Sequence, residues 1–461
     1  MAGKLSAFFG AQDMTVGNPA TNLIRFSTPL LIGNLAQQLY STVDSIVVGN
    51  YVGDSALAAI GASGPIINLL LVLFMGVSVG ASIMASQYFG AKDKKRLSHS
   101  VGTAITATFA VSIFIMVVGP LITHPIMSAL QTPQDIYTMS CDYLIIIFLG
   151  ILGSAYYNII SGILRGLGDS VMPLIFLLVA CGMNIGLDIW FVAGFKMGVA
   201  GVAWATFLCQ GVSCILAMVV IFRRLAKIEG KEKAPFFDWQ ILMQIVAIAI
   251  PSTLQQSFIS LGNIVIQSII NGFGAPVMAG YSAAVKLNNL VITSFTTLGN
   301  GISNYTAQNL GARKMPRIRE GFRAGVKMVW MLSLPLFLLY FFGGNIVLKL
   351  FMDEPTELAM HTGLTYLKIL SPFYFVVSAK LVADGILRGA GLMKNFMAAT
   401  FTDLILRVVL AFVFSKTVLG ATGIWCAWPV GWCVATTLSI LFYRRGPWIT
   451  GKTEAHPVNV D

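Results

Sequence analysis

Four carboxylates lie inside long apolar stretches of this 461-residue sequence, where a charge is costly unless it has a partner or a proton. They are Asp44, Asp188, Asp384 and Asp403. Asp188 follows Asn184 by four residues, so the two side chains share one face of a helix. No Lys or Arg lies deep in the stretches around Asp44 and Asp188, so the sequence offers these two acids no fixed positive charge.

Neutral oxygen donors accompany these two acids. Gln37 and Tyr40 precede Asp44, and Thr206 lies in the apolar stretch that follows Asp188. Carboxylates with amide and hydroxyl oxygens suit a hard monovalent cation or a shared proton. The alternative is that both acids are protonated and hydrogen-bonded inside a helix bundle.

The remaining charges in apolar stretches are mostly spaced as pairs. Asp403 and Arg407 are four residues apart, as are Lys380 and Asp384, and this spacing favours neutralised structural pairs over a functional relay. Lys286 has no acid one turn away. We expect it either to pair across helices, for example with Asp384 or Asp403, or to change its charge as the protein works.

The composition identifies the environment that these residues occupy. Hydrophobic residues make up 56% and charged residues 11% of the chain, with a mean hydropathy of +0.79. A soluble domain is about 25% charged, so a soluble enzyme, a nucleic-acid-binding domain and a disordered scaffold are excluded. A membrane crossing takes about 20 apolar residues. Twelve such stretches are predicted, at 23–48, 57–85, 99–122, 138–160, 171–194, 199–222, 240–270, 277–305, 321–342, 361–386, 395–416 and 421–443.

Lys and Arg residues set the predicted orientation. Of the 30, 22 fall on segments that lie on the same side as the N-terminus, whereas the opposite side holds only Lys196, Lys349 and Lys416. The positive-inside rule therefore predicts a multi-pass protein of a plasma (prokaryotic inner) membrane with both termini in the cytoplasm. The net charge of +11 then reflects this topology and attraction to anionic lipid, not a nucleic-acid partner.

Internal repeats divide the sequence in two. Residues 162–168 read GILRGLG and residues 385–391 read GILRGAG; residues 87–96 and 308–317 both contain a Gln, two residues and then Gly-Ala. Six crossings per half predict an all-α polytopic membrane protein of two lobes related by a pseudo-two-fold axis along the membrane normal. The predicted parts are an N-terminal lobe 1–222, a cytoplasmic linker 223–238, a C-terminal lobe 239–445 and a cytoplasmic tail 446–461.

A GLGD tetrapeptide at residues 166–169 also occurs around one catalytic Asp of intramembrane aspartyl proteases. Such an enzyme needs a second, facing Asp to share a proton. The repeat copy at residues 389–392 reads GAGL and has no acid. We therefore interpret Asp169 as a helix cap after a turn.

Several motifs together resemble the MATE (multidrug and toxic compound extrusion) family, within the group that also holds polysaccharide and lipid flippases. They are Pro29, Gln37–Gln38 and Asp44 in the first stretch, QYFGA after the second, the GILRGLGD run after the fourth, Asn184 and Asp188 in the fifth, and GVAGVAWAT in the sixth. The resemblance implies a cation or proton site of Asp44, Asn184, Asp188 and Thr206. It also implies a helix bend at Pro29 and substrate contacts at Gln37, Tyr40 and Asn158.

The second half departs from one branch of that family, which carries a Glu in the seventh helix, because no acid lies between Asp238 and Glu320. We therefore expect coupling chemistry in the first half. The resemblance implies antiport of amphipathic, often cationic, organic compounds against Na⁺ or H⁺ by alternating access. A lipid-linked saccharide flippase is the alternative, and a membrane-embedded enzyme or a channel is less favoured. No P-loop, resident cofactor, metal other than Na⁺ or obligatory protein partner is expected.

Overall fold

The computed structural model describes residues 12–229, 237–352 and 355–450, and every regular element in them is helical, as the sequence predicts. The helices of the first half are α1 Pro19–Tyr51, α2 Asp54–Gly90, α3 Lys94–Ala129, α4 Gln134–Leu149, α5 Ile151–Gly166, α6 Val171–Asp188 and α7 Gly198–Glu229. Those of the second half are α8 Trp239–Asn271, α9 Ala275–Gly311, α10 Met315–Phe342, α11 Gly344–Lys349, α12 Glu357–Leu370, α13 Tyr374–Gly389, α14 Met393–Ser415, α15 Gly420–Arg444 and α16 Pro447–Thr450. A π-helical turn, Ile189–Gly194, extends α6, and a 3-10 turn, Ser371–Phe373, joins α12 to α13.

Nine helical segments of the described chain are long and apolar enough to cross a membrane, and α4 with α5, bent by 49° across Gly150, makes a tenth if the pair is counted as one span. Two further helices, α1 with 33 residues and α9 with 37, are long enough but are not among these apolar spans. Both contain several Gln, Asn and Thr residues. The predicted twelve crossings therefore stay a prediction. Polar helices at membrane depth must turn their polar faces to protein or water.

The ends of the helices follow from local chemistry. The Asn18 side chain accepts from the Ala20 backbone N–H at 2.9 Å, and Pro19 occupies the first helical position, so α1 has an ordinary N-cap. Helices α2 and α9 end alike, with Lys92 and Arg313 each in the left-handed region at φ 57°. These two residues are equivalent in the sequence repeat, so the repeat extends to backbone conformation.

The repeated GILRG motif is a helix-packing surface. On α5, Gly162 and Gly166 lie against the backbone of Ser78 and Ser82 on α2, so close that an added Cβ would come within 3 Å of their carbonyl oxygens. Small residues four apart allow this approach of helix backbones in membranes. The equivalent contacts of the second half join α13 to α9, with Gly385 against Gly299 and Gly389 against Ser303.

The chain separates into two compact units that exchange helix starts. Of the described residues, the first unit contains those of 12–13 and 28–253, and the second contains those of 14–27 and 254–450. The start of α1 therefore belongs to the second unit, and the start of α8 belongs to the first. Within the predicted linker, α7 continues to Glu229. Residues 230–236 of that linker and residues 451–461 of the predicted tail lie outside the described residues.

Hydrogen bonds fix the start of α1 in the second unit. The Met14 backbone N–H donates to Gln308 Oε1 at 3.0 Å, and Asn309 Nδ2 donates back to the Met14 carbonyl at 3.2 Å. Lys314 Nζ donates to the Thr15 carbonyl at 2.8 Å. Gln308 lies in the repeated segment after the eighth predicted stretch, so this motif holds the residues directly before α1.

The start of α8 is fixed in the first unit in a comparable way. The Asp238 backbone N–H donates to Thr103 Oγ1 at 2.9 Å, and the Tyr88 hydroxyl donates to Gln244 Oε1 at 2.8 Å. Gly76 on α2 leaves space for Thr253, whose hydroxyl would overlap an added Cβ. The starts of α1 and α8 are therefore each hydrogen-bonded within the unit to which they belong, although the rest of each helix lies in the other unit.

Candidate cation and substrate sites

Asn184 and Asp188 lie one turn apart on α6, with 2% and 1% of their surfaces exposed. Asp188 is the last residue of the regular helix, and the π-helical turn Ile189–Gly194 widens the backbone directly after it. Such turns are common at functional sites. Among the described residues, the Asn184 amide has no conventional hydrogen-bond partner, so its oxygen is available to a ligand.

Cys209 on α7 is a neighbour that the sequence analysis did not select. Its thiol is 3% exposed and interacts with the Asn184 side chain and the Asp188 charge. A thiol is only a weak hydrogen-bonding group, so it leaves the Asn184 amide largely unsatisfied. Half-buried Thr206 lies one turn before Cys209 on α7. Thr206 and Cys209 are three residues apart and so share a face of the helix. This spacing is the signal in the sequence that could have added Cys209 to the predicted site residues.

The α1 residues of the predicted sites are described in part. Pro29 is buried inside α1, and Gln37 is exposed. The side chains of Tyr40 and Asp44 lie outside the described residues, although their backbone belongs to α1. The joining of Asp44 to Asn184 and Asp188 therefore stays a prediction.

Asn158, the third predicted substrate contact, lies half-buried on α5. Its Nδ2 donates to the Ser154 carbonyl at 2.8 Å, one turn earlier on the same helix. The Asn158 carbonyl in turn accepts from the Ser78 hydroxyl at 2.6 Å. The amide nitrogen of Asn158 is therefore held by its own helix, and its role as a substrate contact stays a prediction.

The charges of the second half form two buried ion pairs, as their spacing predicts. Lys380 Nζ lies 2.7 Å from Asp384 Oδ2, and the Ser439 hydroxyl donates to Asp384 Oδ1 at 2.6 Å. Arg407 lies 2.8 Å from Asp403 Oδ2. Each of these acids is thus neutralised by a cation on its own helix, whereas Asp188 has an amide one turn away on its helix.

Lys286 forms no ion pair with Asp384 or Asp403 among the described residues, and its pairing across helices with another acid stays a prediction. Asp384 and Asp403 already hold Lys380 and Arg407, and no ion pair of Lys286 is found among the described residues. The Lys286 side chain is exposed and lines an open cavity of about 470 Å³ in the second unit. That cavity lies between α9 and the residues before α12, among them Phe351, Met352 and Thr356.

Asp169 is the helix cap that the sequence predicts. Its Oδ1 accepts from the backbone N–H groups of Val171 and Met172 at 3.0 and 3.1 Å, at the start of α6. Its Oδ2 binds Arg224 of α7 in an ion pair. Both carboxylate oxygens are therefore committed to structure, which leaves the GLGD segment without a free catalytic acid.

The sequence profile of the MatE family matches this chain twice, over residues 29–190 and 251–413. The two matches begin 222 residues apart and so coincide with the internal repeat. Together they cover well over half of the chain.

Curated relatives match over most of their length. The chain is 29% identical over 439 residues to "Probable multidrug resistance protein YpnP" of Bacillus subtilis, covering 95% of this chain and 98% of that protein. It is 23% identical to "Probable multidrug resistance protein NorM" of Thermotoga maritima, covering 92% of each. It is 22% identical to "Multidrug export protein MepA" of Staphylococcus aureus, covering 82% of this chain and 84% of that protein.

Solved structures share the fold. One, described as "Outward-facing conformation of a multidrug resistance MATE family transporter of the MOP superfamily", matches with a TM-score of 0.86 and 22% identity, covering 94% of this chain and 97% of that one. Another, described as "Crystal structure of MATE in the straight conformation", matches with a TM-score of 0.85, 22% identity and the same coverage. At these identities the likeness concerns the helical architecture alone.

Proposed function

Because the chain belongs to the MatE family, we propose that it is a secondary active transporter that exports many chemically different organic compounds from the cell. The observation that carries this proposal is the agreement of two facts. Relatives named for multidrug resistance match along nearly the whole chain, and a buried Asn184–Asp188 pair lies on α6 of the first half. An export protein of this kind is a transporter and needs no catalytic residues.

We propose that Na⁺ or H⁺ drives export through Asp44, Asn184, Asp188 and Thr206. A buried carboxylate is costly in its charged form, so a cation or a proton that neutralises it is bound strongly. The contrast between the halves supports the first half as the coupling site. Asp384 and Asp403 already hold a Lys and an Arg, whereas the neighbours of Asp188 on α6 and α7 include a neutral amide and a thiol.

Coupling requires that the two ligands prefer different conformations. We propose that cation or proton entry from outside neutralises Asp44 and Asp188 and shifts α1 at Pro29. Pro29 lacks a backbone N–H and interrupts the hydrogen bonding of the helix, so α1 can bend there at lower cost. The shift weakens substrate binding, and the substrate leaves outward.

The substrates are proposed to be amphipathic organic compounds, often cationic. Gln37, Tyr40 and Asn158 supply neutral polar contacts for such molecules, and the acidic pair of the first half favours positive charge. Apolar and aromatic walls with few polar groups suit ligands of varied shape. The lipid bilayer is the surrounding solvent, and we propose the prokaryotic inner membrane with both chain termini in the cytoplasm.

The test is dye accumulation by inverted membrane vesicles that contain the protein, under separate Na⁺ and pH gradients. An excess of Na⁺ or H⁺ inside the vesicles should drive uptake, and the effective gradient identifies the coupling ion. Asp188→Asn and Asp44→Asn should each lower uptake at least tenfold. Asp142→Asn, at an exposed acid on α4, is the matched control and should transport normally. Normal uptake by Asp188→Asn would refute coupling at this site.

A further inference from the structure

The Arg407 guanidinium is held as an organic cation would be held by a binding site. Its Nη2 lies 2.8 Å from Asp403 Oδ2, and its Cζ lies 4.2 Å from the centre of the Trp428 ring. A carboxylate together with the face of a Trp is a favourable surrounding for a planar cation. All three side chains are buried, with 5–7% of their surfaces exposed.

The cluster of Asp403, Arg407 and Trp428 contains buried polar atoms that are not hydrogen-bonded. Among the described residues, Asp403 Oδ1, Arg407 Nε and Trp428 Nε1 have no hydrogen-bond partner. An ion pair that served packing alone would be expected to satisfy these buried atoms, because each unpaired one costs stability. Gly431 on α15 keeps the space beside the acid open, since an added Cβ would lie 2.7 Å from Asp403 Oδ1.

In the internal sequence repeat, Arg407 of the second half is equivalent to a residue of the first half. At the offset of 223 given by the two GILRG copies, Arg407 corresponds to Asn184. The first half therefore has a neutral amide where the second half has a permanent positive charge. The Asp403 carboxylate has its cation attached covalently, one turn along the same helix.

We propose that Asp403 and Trp428 form an organic-cation site in the second unit, and that Arg407 is its built-in occupant. The site takes planar monocations of the guanidinium class, and it opens to free ligand only when residue 407 is shortened. In the intact protein the resident charge takes the place of a mobile ion. The proposal goes beyond the transport function and depends only on contacts inside the second unit.

The experiment uses the full-length Arg407→Ala variant, purified in detergent, with guanidinium chloride at low millimolar concentration as the probe. Guanidinium should raise the thermal unfolding midpoint of this variant by several degrees with a saturable dose response. Sodium chloride at equal ionic strength should not. The unsubstituted protein, whose site is filled, should not respond.

Lys380→Ala is the matched control, because it empties the other buried ion pair, whose cation has no aromatic ring stacked on it in the described part of the chain. It should show no guanidinium-specific response. Adding Asp403→Asn or Trp428→Leu to Arg407→Ala should weaken guanidinium binding at least fivefold. Should Arg407→Ala accumulate poorly, its folded yield in cells grown with methylguanidinium, beside that of Arg407→Gln, becomes the measurement.

Three results would overturn the proposal. The first is a folded Arg407→Ala protein that does not respond to guanidinium, and the second is an equal response by Lys380→Ala. The third is a folded yield of both residue-407 variants that methylguanidinium leaves unchanged. None of these results bears on Asp188, so the proposed coupling site is tested separately by the vesicle assay.

Discussion

Ser27 of α1 lies directly against Gly301 of α9, and a Cβ added at residue 301 would stand 3.7 Å from the Ser27 Cβ. That separation matches the Cβ–Cβ distance of an unstrained disulfide. Ser27 is also the last residue of α1 that belongs to the second unit, because the helix belongs to the first unit from Thr28 onward. The contact therefore marks the point at which α1 passes from one unit to the other.

We expect a Ser27→Cys/Gly301→Cys double variant, in a background without the six native cysteines, to form this disulfide and lose export. Because α1 continues from Thr28 into the first unit, we expect movement of that unit during alternating access to pull the start of α1 away from α9 in each cycle. Dye efflux from cells is measured before oxidation, after oxidation and after reduction. Activity should fall at least tenfold on oxidation and return on reduction.

A second pair controls for cross-linking itself. Gly262 lies about two turns beyond the point at which α8 enters the second unit, and an added Cβ there would be 3.5 Å from Val408 Cγ2 on α14. The Gly262→Cys/Val408→Cys variant should cross-link and keep exporting. Undiminished export by fully cross-linked Ser27→Cys/Gly301→Cys would show that the α1 start does not move.

The glycine contacts of the repeated motif predict a stability effect. Gly166→Ala should destabilise the protein by about 1–3 kcal/mol, because the new methyl group meets the Ser82 carbonyl oxygen of α2. Gly182→Ala on α6 is the control, since no neighbouring atom lies within 4 Å of the added methyl group there. It should be neutral or stabilising by up to about 1 kcal/mol. Thermal unfolding in detergent separates the two, and equal midpoints would contradict close packing of α2 on α5.

The two side-chain oxygens of Asp169 have different partners, so two substitutions at this position should lower the stability of the protein by different amounts. Asp169→Asn keeps an oxygen for the Val171 and Met172 N–H groups but loses the ion pair with Arg224, whereas Asp169→Ala loses both. We expect the Ala variant to be less stable than the Asn variant by about 1 kcal/mol, the usual contribution of an N-cap. Identical unfolding midpoints for the two variants would mean that the cap contributes nothing.

The distribution of Lys and Arg predicts on which side of the membrane each terminus of the chain lies. A green fluorescent protein fused after residue 461 should fluoresce, and alkaline phosphatase at the same position should be inactive, because both report a cytoplasmic location. Alkaline phosphatase fused at Lys349, on the opposite predicted side, should be active. Reversed activities at these two positions would overturn the orientation drawn from the positive-inside rule.

Features that depend on short-range geometry could be predicted from the sequence. The pairs Lys380–Asp384 and Asp403–Arg407 follow from helical spacing alone, and the Asp169 cap follows from a turn before a helix. The all-helical fold follows from composition. Such features need only a helix, which the apolar stretches already imply.

Features that depend on how helices pack could not be predicted in this way. Lys286 was expected near Asp384 or Asp403 but lines a separate cavity, because contacts across helices depend on rotation and depth that one sequence does not give. Cys209 is not among the site residues selected from the sequence, yet its thiol interacts with the Asn184 side chain. The polar character of α1 and α9 is visible in the sequence, but the exchange of helix starts is not.

Because the starts of α1 and α8 belong to the unit of the other half, each unit needs a segment from both halves of the chain during biosynthesis. Residues 14–27 leave the ribosome long before α9, which they contact, has been made, and the first unit stays incomplete until the start of α8 emerges. We therefore expect that neither half of the chain folds fully by itself. A protein split between Glu229 and Phe237 should regain its structure only when both fragments are present in one membrane, because each fragment carries the segment that the other lacks.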